Sequence, residues 1–200
     1  MVGTHGSACA CAHDLSVPLP GTQWLDPYID KGSIACLGEE SVGSGLALFR
    51  AYMDRLTDPS PRCRCSNEED IPGLVVTVSF TCPVKISGVT VITSSSAPLH
   101  LYANLVDPET VEEVAPKQTI DSLVEDWCGV IEYPLRVAKF SQINSLTLWF
   151  MEPSVELFYI GLRGIASGDQ RRAVVTVYES RANVADHPGV KEMKFASSQF

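Results

Sequence analysis

The cysteines and histidines in the first third of the chain are the residues whose types come nearest to a metal site. Two Cys-x-Cys pairs and two nearby histidines could supply thiolate and imidazole ligands to Zn²⁺. They are Cys9, Cys11, Cys63, Cys65, His5 and His13. Structural zinc sites usually separate paired cysteines by two to four residues, so this spacing is too tight. We therefore expect reduced, exposed thiols and no bound cofactor or metal.

Another cysteine lies in Trp127-Cys128-Gly129, which is similar to the start of a thioredoxin active site. A redox pair would need a second cysteine at position 131, where this chain has Ile131. It would also need a helix N-terminus to lower the thiol pKa. Residues 130–133 are strand-like instead, which predicts that Cys128 is a buried structural residue.

The residue pattern does not favour hydrolytic chemistry. The Gly-Ser-Gly at residues 43–45 lacks the strand and helix that frame a nucleophile elbow. Asp186 and His187 could form an acid–base couple, but no partner nucleophile accompanies them, and a polar turn is the alternative. His100 falls on the polar side of an apolar/polar alternation, so we expect it to be a solvated surface residue.

The elements that would position these residues alternate apolar and polar side chains with a period of two. Such runs start at Leu74, Val84, Leu99, Leu146, Phe158 and Ala173. Pro83 ends the first run, and Gly88 shifts the phase of the second, which predicts a bulge. Short runs separated by Pro, Gly and Ser predict an all-β, antiparallel sandwich.

Segments between these runs give few helical signals. Short helical turns are predicted within residues 46–55 and 108–114, and residues 57–72, with two prolines followed by acids, predict an exposed loop. No long helices alternate with the strands, which argues against a parallel α/β sheet.

The charge balance disfavours nucleic acid as a partner. The 200 residues include 24 acidic and 15 basic ones, a net charge of −9, and a phosphate backbone would be repelled. No apolar run approaches the roughly 20 residues of a membrane span. The seven cysteines and the absence of a leader pattern favour reduced thiols in the cytoplasm or nucleus. Short edge strands and an acidic exterior favour a monomer.

The stretch from Leu157 to His187 closely resembles the PITH domain family. The matching residues are Leu-Phe-Tyr-Ile-Gly-Leu-Arg-Gly at 157–164, Arg-Arg at 171–172, Val-Thr-Val-Tyr-Glu at 175–179, Ala-Asn at 182–183 and Ala-Asp-His at 185–187. Further agreement comes from Cys-Leu at 36–37, Gly-Ser-Gly at 43–45, and residues 84–89 and 101–104. The resemblance covers residues 21–190, between a flexible arm (1–20) and a C-terminal tail (191–200).

This resemblance implies a jelly-roll β-sandwich of the galactose-binding-like type, with few short helices. It also implies association with the 26S proteasome regulatory particle and no catalytic activity. A different class remains open: a jelly-roll module that binds a sugar or another small ligand in a pocket formed by its end loops.

Candidate interaction residues follow from analogy with galactose-binding-like sandwiches, in which end loops form the ligand face. They are Arg163, Asp169, Asn183, Asp186 and His187. Arg163 is expected at the end of a strand, beside the Gly-rich loop that leads to Asp169. Its guanidinium could order that loop through an ion pair or carbonyl contacts, or it could anchor a partner protein.

Overall fold

The computed structural model describes residues 21–57, 60–66 and 73–167, which form nine strands and four short 3₁₀ helices. The strands are β1 (Gln23–Trp24), β2 (Ile29–Leu37), β3 (Cys63–Arg64), β4 (Leu74–Thr93), β5 (Leu99–Ala103), β6 (Gln118–Ile120), β7 (Glu132–Pro134), β8 (Ile143–Phe150) and β9 (Glu156–Ala166). The helices are Asp26–Tyr28, Ser44–Leu48, Tyr52–Asp54 and Pro108–Glu112. Helical turns predicted within residues 46–55 and 108–114 are thus confirmed.

Strand β4 belongs to both layers of the fold. Its residues 74–80 pair with β2 and β8, and β8 continues through β5 to β6. Residues 84–93 pair with β7 and β9, and the other edge of β9 pairs with β1 and β3. Every pairing is antiparallel. The predicted fold class, an all-β antiparallel jelly-roll sandwich with few short helices, is confirmed.

The core contains the inward side chains of both layers. Those of the four longest inner strands are Leu74, Val76, Val78, Val84, Ile86, Val89 and Val91 of β4, Leu99 and Leu101 of β5, Ile143, Leu146, Leu148 and Phe150 of β8, and Leu157, Ile160 and Leu162 of β9. Each is at most 2% exposed. Burial of one such side chain contributes about 1.5–3 kcal/mol, which makes this cluster the main source of stability.

Bulges decide which residues face the core. The pairing of β4 with β9 shifts register between Ile86 and Gly88, which confirms the bulge predicted there. The alternation that starts at Phe158 predicts that its side chain faces the core together with Ile160 and Leu162. A second shift instead places Phe158 on the outer side beside Tyr159, so that prediction is wrong. The interpretation of Pro83 as a strand end is also wrong, because β4 runs continuously past it.

The predicted exposed loop at residues 57–72 is only partly correct. Among its described residues, Cys63 forms a strand pair with Leu157 and is fully buried, and Cys65 is 9% exposed. The run predicted from Ala173, the arm 1–20 and the tail 191–200 lie outside the described residues. Within the part that the structure describes, no helix has the length and apolar character of a membrane span.

The close approach of β9 to β4 at Gly164 yields a test of the fold. A methyl group on Gly164 would overlap the carbonyl oxygen of Lys85. We predict that Gly164→Ala lowers the free energy of unfolding by about 1–3 kcal/mol, measured by urea denaturation. Gly32→Ala on the exposed part of β2, where the nearest atom would lie 3.4 Å away, is the control. Equal stability of the two variants would contradict the register of β4 and β9.

Candidate functional site

Two loops contact the layer that contains β9: the first loop (residues 44–57), which also places Leu48 and Phe49 in the core, and the second loop (residues 124–131). Arg50 fixes the first loop. Its guanidinium donates four hydrogen bonds of 2.8 Å to carbonyl oxygens, three within the loop and one of Phe158 in β9. Because hydrogen bonds from a charged donor are strong, Arg50 holds the irregular backbone onto the sheet.

Arg55 joins the first loop to the second. Its Nε donates to the carbonyl oxygen of Cys128 at 2.9 Å, and its Nη1 donates to that of Tyr52 at 3.0 Å. The hydroxyl of Tyr52 donates to the carbonyl oxygen of Gly129 at 3.4 Å. Arg55 is only 6% exposed, so this cation is used to fasten one loop to the other.

A stack of cations and rings joins the first loop to β1 and β9. The Arg163 guanidinium lies 4.5 Å from the centre of the Trp24 ring, and Trp24 stacks on Tyr52 at 4.2 Å with an angle of 9° between the rings. The Arg55 guanidinium lies 3.8 Å from the Tyr52 ring centre. Each contact of this kind is worth about 0.5–2 kcal/mol. We call these four residues the arginine–aromatic stack.

Arg163 is held at its charged end as well. Its Nε lies 3.0 Å from Oε2 of Glu132 on β7, and the two side chains are 4% and 27% exposed. Arg163 lies within β9, three residues before its end, so the expectation that it emerges at the strand end is wrong. This ion pair is made with β7 and not with the loop that leads to Asp169, so the ordering of that loop by Arg163 and its role as an anchor for a partner both stay predictions.

Asp126 organises the second loop. Its Oδ1 accepts hydrogen bonds from the backbone N–H groups of Cys128 and Gly129, both at 2.9 Å. Its Oδ2 accepts from those of Val130 and Ile131 at 2.7 and 2.8 Å. Asp126 is 8% exposed, and its carboxylate provides hydrogen-bond acceptors for four backbone N–H groups. These bonds fix the path of the loop.

The two fastened loops expose large apolar side chains. Met53 and Leu56 of the first loop are 84% and 44% exposed, and Trp127 and Val130 of the second are 55% and 46% exposed. We call these four residues the apolar loop surface. Trp127 rests against Phe158, with ring centres 5.2 Å apart. Exposed apolar side chains on rigid supports are typical of protein-interaction surfaces, and tryptophan is enriched among residues that dominate binding energy.

The exposed charges in these loops are acidic. Asp54 of the first loop and Glu125 of the second are exposed, whereas the guanidinium groups of Arg50 and Arg55 are directed onto backbone carbonyls. A partner that covers the apolar loop surface would therefore match it best with apolar side chains flanked by basic ones.

The remaining predicted site residues have varied placements. Asp169, Asn183, Asp186 and His187 lie outside the described residues. His100 is half-buried, with its ring 5.5 Å from that of Trp149, and burial lowers its pKa. Its prediction as a solvated residue is therefore wrong.

The cysteines differ from expectation too. Cys128 is half-buried rather than buried. Cys63 and Cys65 are buried, so their prediction as exposed thiols is wrong. The Cys63 sulfur lies 3.8 Å from that of Cys36, and the Cys65 thiol donates to the carbonyl oxygen of Gly73. Cys9, Cys11, His5 and His13 are outside the described residues.

Two clefts bear on the small-ligand alternative. A cleft of about 420 Å³ lies beside residues 102–107, and its one aromatic residue, Tyr102, is 2% exposed and donates to the carbonyl oxygen of Val111. A cleft of about 360 Å³ contains the ion pair of Arg64 with Glu156 and no aromatic residue among its lining side chains. Neither of these two clefts offers an exposed ring to a sugar.

Comparison with known proteins finds a matching family model, relatives of similar sequence and a solved structure of partly similar fold. The family model described as "PITH domain" matches residues 17–182. PITH domain-containing protein 1 of Xenopus laevis is 32% identical over 195 residues, which are 92% of this chain and 91% of that protein. The Homo sapiens protein of the same name is 32% identical over 198 residues, covering 91% and 90%. A family 32 carbohydrate-binding module of Clostridium perfringens, solved with galactose, is 7% identical with a TM-score of 0.44, covering 71% of this chain and 98% of that one.

The Asp126 carboxylate yields the test of the site. We predict that Asp126→Asn lowers the free energy of unfolding by about 2–4 kcal/mol, because the amide nitrogen of asparagine faces two backbone N–H groups as a donor and leaves them unsatisfied. Asp121→Asn, at an exposed position nearby, should change it by less than about 0.5 kcal/mol. Urea denaturation measures both. If the two variants were equally stable, Asp126 would not organise the second loop.

Proposed function

Because the chain belongs to the PITH domain family, we propose that it is a non-enzymatic module that binds the 26S proteasome regulatory particle. Family membership carries the proposal, since resemblance to this family implies association with the proteasome. Proteasomes work in the cytoplasm and the nucleus, and the proposal assigns the chain to the same compartments.

The docking site in this proposal is the apolar loop surface. Its four side chains stand on loops that Arg50, Arg55 and Asp126 hold in one conformation. A surface that is already ordered loses little conformational entropy when a partner binds, so more of the contact energy appears as affinity. The partner is a proteasome subunit whose apolar surface is flanked by basic residues.

The use of the charged groups in these loops supports binding rather than catalysis. The buried carboxylate of Asp126 is of a type that can act as a general acid or base, yet both of its oxygens accept hydrogen bonds from backbone N–H groups. Arg50 and Arg55 likewise donate to backbone carbonyl oxygens. A general acid or base must instead reach a substrate atom and exchange a proton with it. These hydrogen bonds fix the shape of the surface that the two loops present.

The small-ligand alternative predicts a pocket with exposed aromatic rings and a few convergent polar groups. The two described clefts lack such rings, which favours the protein partner. A glycan array and a thermal-shift screen with galactose and related sugars separate the two functions. A ligand at 100 times its Kd stabilises a protein by about 2.7 kcal/mol, which such a screen detects.

The proposal predicts the behaviour of surface variants in affinity purification. Tagged full-length chain, incubated with cytosolic extract at moderate salt, should recover proteasome regulatory-particle subunits. Met53→Asp, which places a charge at the most exposed apolar residue of the surface, should reduce that recovery at least about tenfold. Quantitative mass spectrometry of the eluates measures the difference.

Val106→Asp is the matched control, since Val106 is 98% exposed beside the cleft at residues 102–107. It should leave recovery unchanged. If the unaltered chain recovered no proteasome subunits at any salt concentration, the proposed function would be wrong. If Val106→Asp reduced recovery and Met53→Asp did not, the function would stand and the assigned surface would be wrong.

A further inference from the structure

Away from the apolar loop surface, two thiols and a carboxylate converge where β2 meets β3. Cys36 is on β2, Cys63 is on β3, and Glu39 follows the end of β2. One ligand atom from each of the three residues lies within 4.8 Å of the other two. This cluster plays no part in the proposed function.

The spacing of the two sulfur atoms fits a tetrahedral metal ion. The Sγ atoms of Cys36 and Cys63 lie 3.8 Å apart. Thiolates bound to tetrahedral Zn²⁺ at about 2.3 Å are separated by about 3.8 Å, so the pair needs little rearrangement to hold an ion. The carboxylate of Glu39 adds a third ligand of a type found in zinc sites.

The surroundings hold the third ligand in place. The Oε2 atom of Glu39 accepts hydrogen bonds of 2.9 Å from the hydroxyl of Ser44 and the backbone N–H of Gly45. A Cβ atom on Gly45 would lie 2.7 Å from the Cβ of Cys36 and 3.2 Å from its sulfur. Glycine at position 45 therefore lets the turn approach Cys36 closely, and hydrogen-bonded ligands of this kind are typical of metal sites.

We propose that Cys36, Cys63 and Glu39 form a binding site for one thiophilic divalent cation, Zn²⁺ or its heavier congener Cd²⁺, with a water molecule as the fourth ligand. On binding, each remaining S–H bond is replaced by a metal–sulfur bond and its proton passes to solvent. This set shares only Cys63 with the ligands considered from the Cys-x-Cys pattern. It needs no residue of the arm.

Cobalt titration tests the site, because thiolate-bound Co²⁺ absorbs through sulfur-to-metal charge transfer. The full-length host carries Cys9→Ser and Cys11→Ser, which remove the arm thiols, and it is reduced before titration. We expect one equivalent of Co²⁺ to bind with this absorption, and Zn²⁺ to displace it. The absence of thiolate charge transfer in the host would overturn the proposal.

Variants in the same host identify the ligands. Cys36→Ser and Cys63→Ser should each abolish the charge-transfer absorption, and Glu39→Gln should raise the Kd for Co²⁺ at least about tenfold. Cys82→Ser, at a half-buried thiol on β4, should leave the charge-transfer absorption and the Kd for Co²⁺ unchanged. Circular dichroism confirms that each variant is folded. Full absorption in a folded Cys36→Ser variant would overturn the assignment.

Discussion

The arginine–aromatic stack connects parts of the chain that are far apart in sequence. Trp24 comes from the first strand, Tyr52 and Arg55 from the first loop, and Arg163 from the last described strand. Each of its two arginines contacts an aromatic ring and also a second group: Arg163 pairs with Glu132 of β7, and Arg55 donates a hydrogen bond to the carbonyl oxygen of Cys128. Because the stack joins both loops to the sheet beneath them, the position of the apolar loop surface depends on it.

The stack can form only because β4 and β9 provide a rigid sheet surface on which its residues pack. Strand β4 passes through both layers and carries inward side chains along its whole length. The bulge at Phe158 then sends two consecutive aromatic residues of β9 outward, where they support Tyr52 and Trp127. Core packing thus fixes the position of the sheet, and the bulge determines which aromatic side chains cover its outer face. Charged side chains that hydrogen-bond to backbone groups fix the conformation of the loops.

The sequence predicted the elements whose signal is local. Alternation identified β4, β5, β8 and β9, and Gly88 identified a bulge, because side-chain period and glycine placement act within a few residues. The stack could not be predicted, since Arg163 lies 139 residues from Trp24 in the numbering and no local pattern pairs them. Asp126 did carry a local signal, an aspartate followed closely by glycine, which is typical of side-chain-to-backbone turns. The contact between the free thiols of Cys36 and Cys63 joins residues that are far apart in the sequence, and a search for Cys-x-Cys motifs could not find it.

The central claim is that the apolar loop surface contacts the proteasome, and site-specific photocrosslinking tests it most directly. A photoreactive amino acid replaces Met53 in one full-length sample and Val106 in another, positions that are 84% and 98% exposed, and each sample is irradiated with purified 26S proteasome. The account predicts a crosslink to a regulatory-particle subunit from position 53 and none from position 106. Crosslinking from position 106 alone, or equally from both, would contradict it.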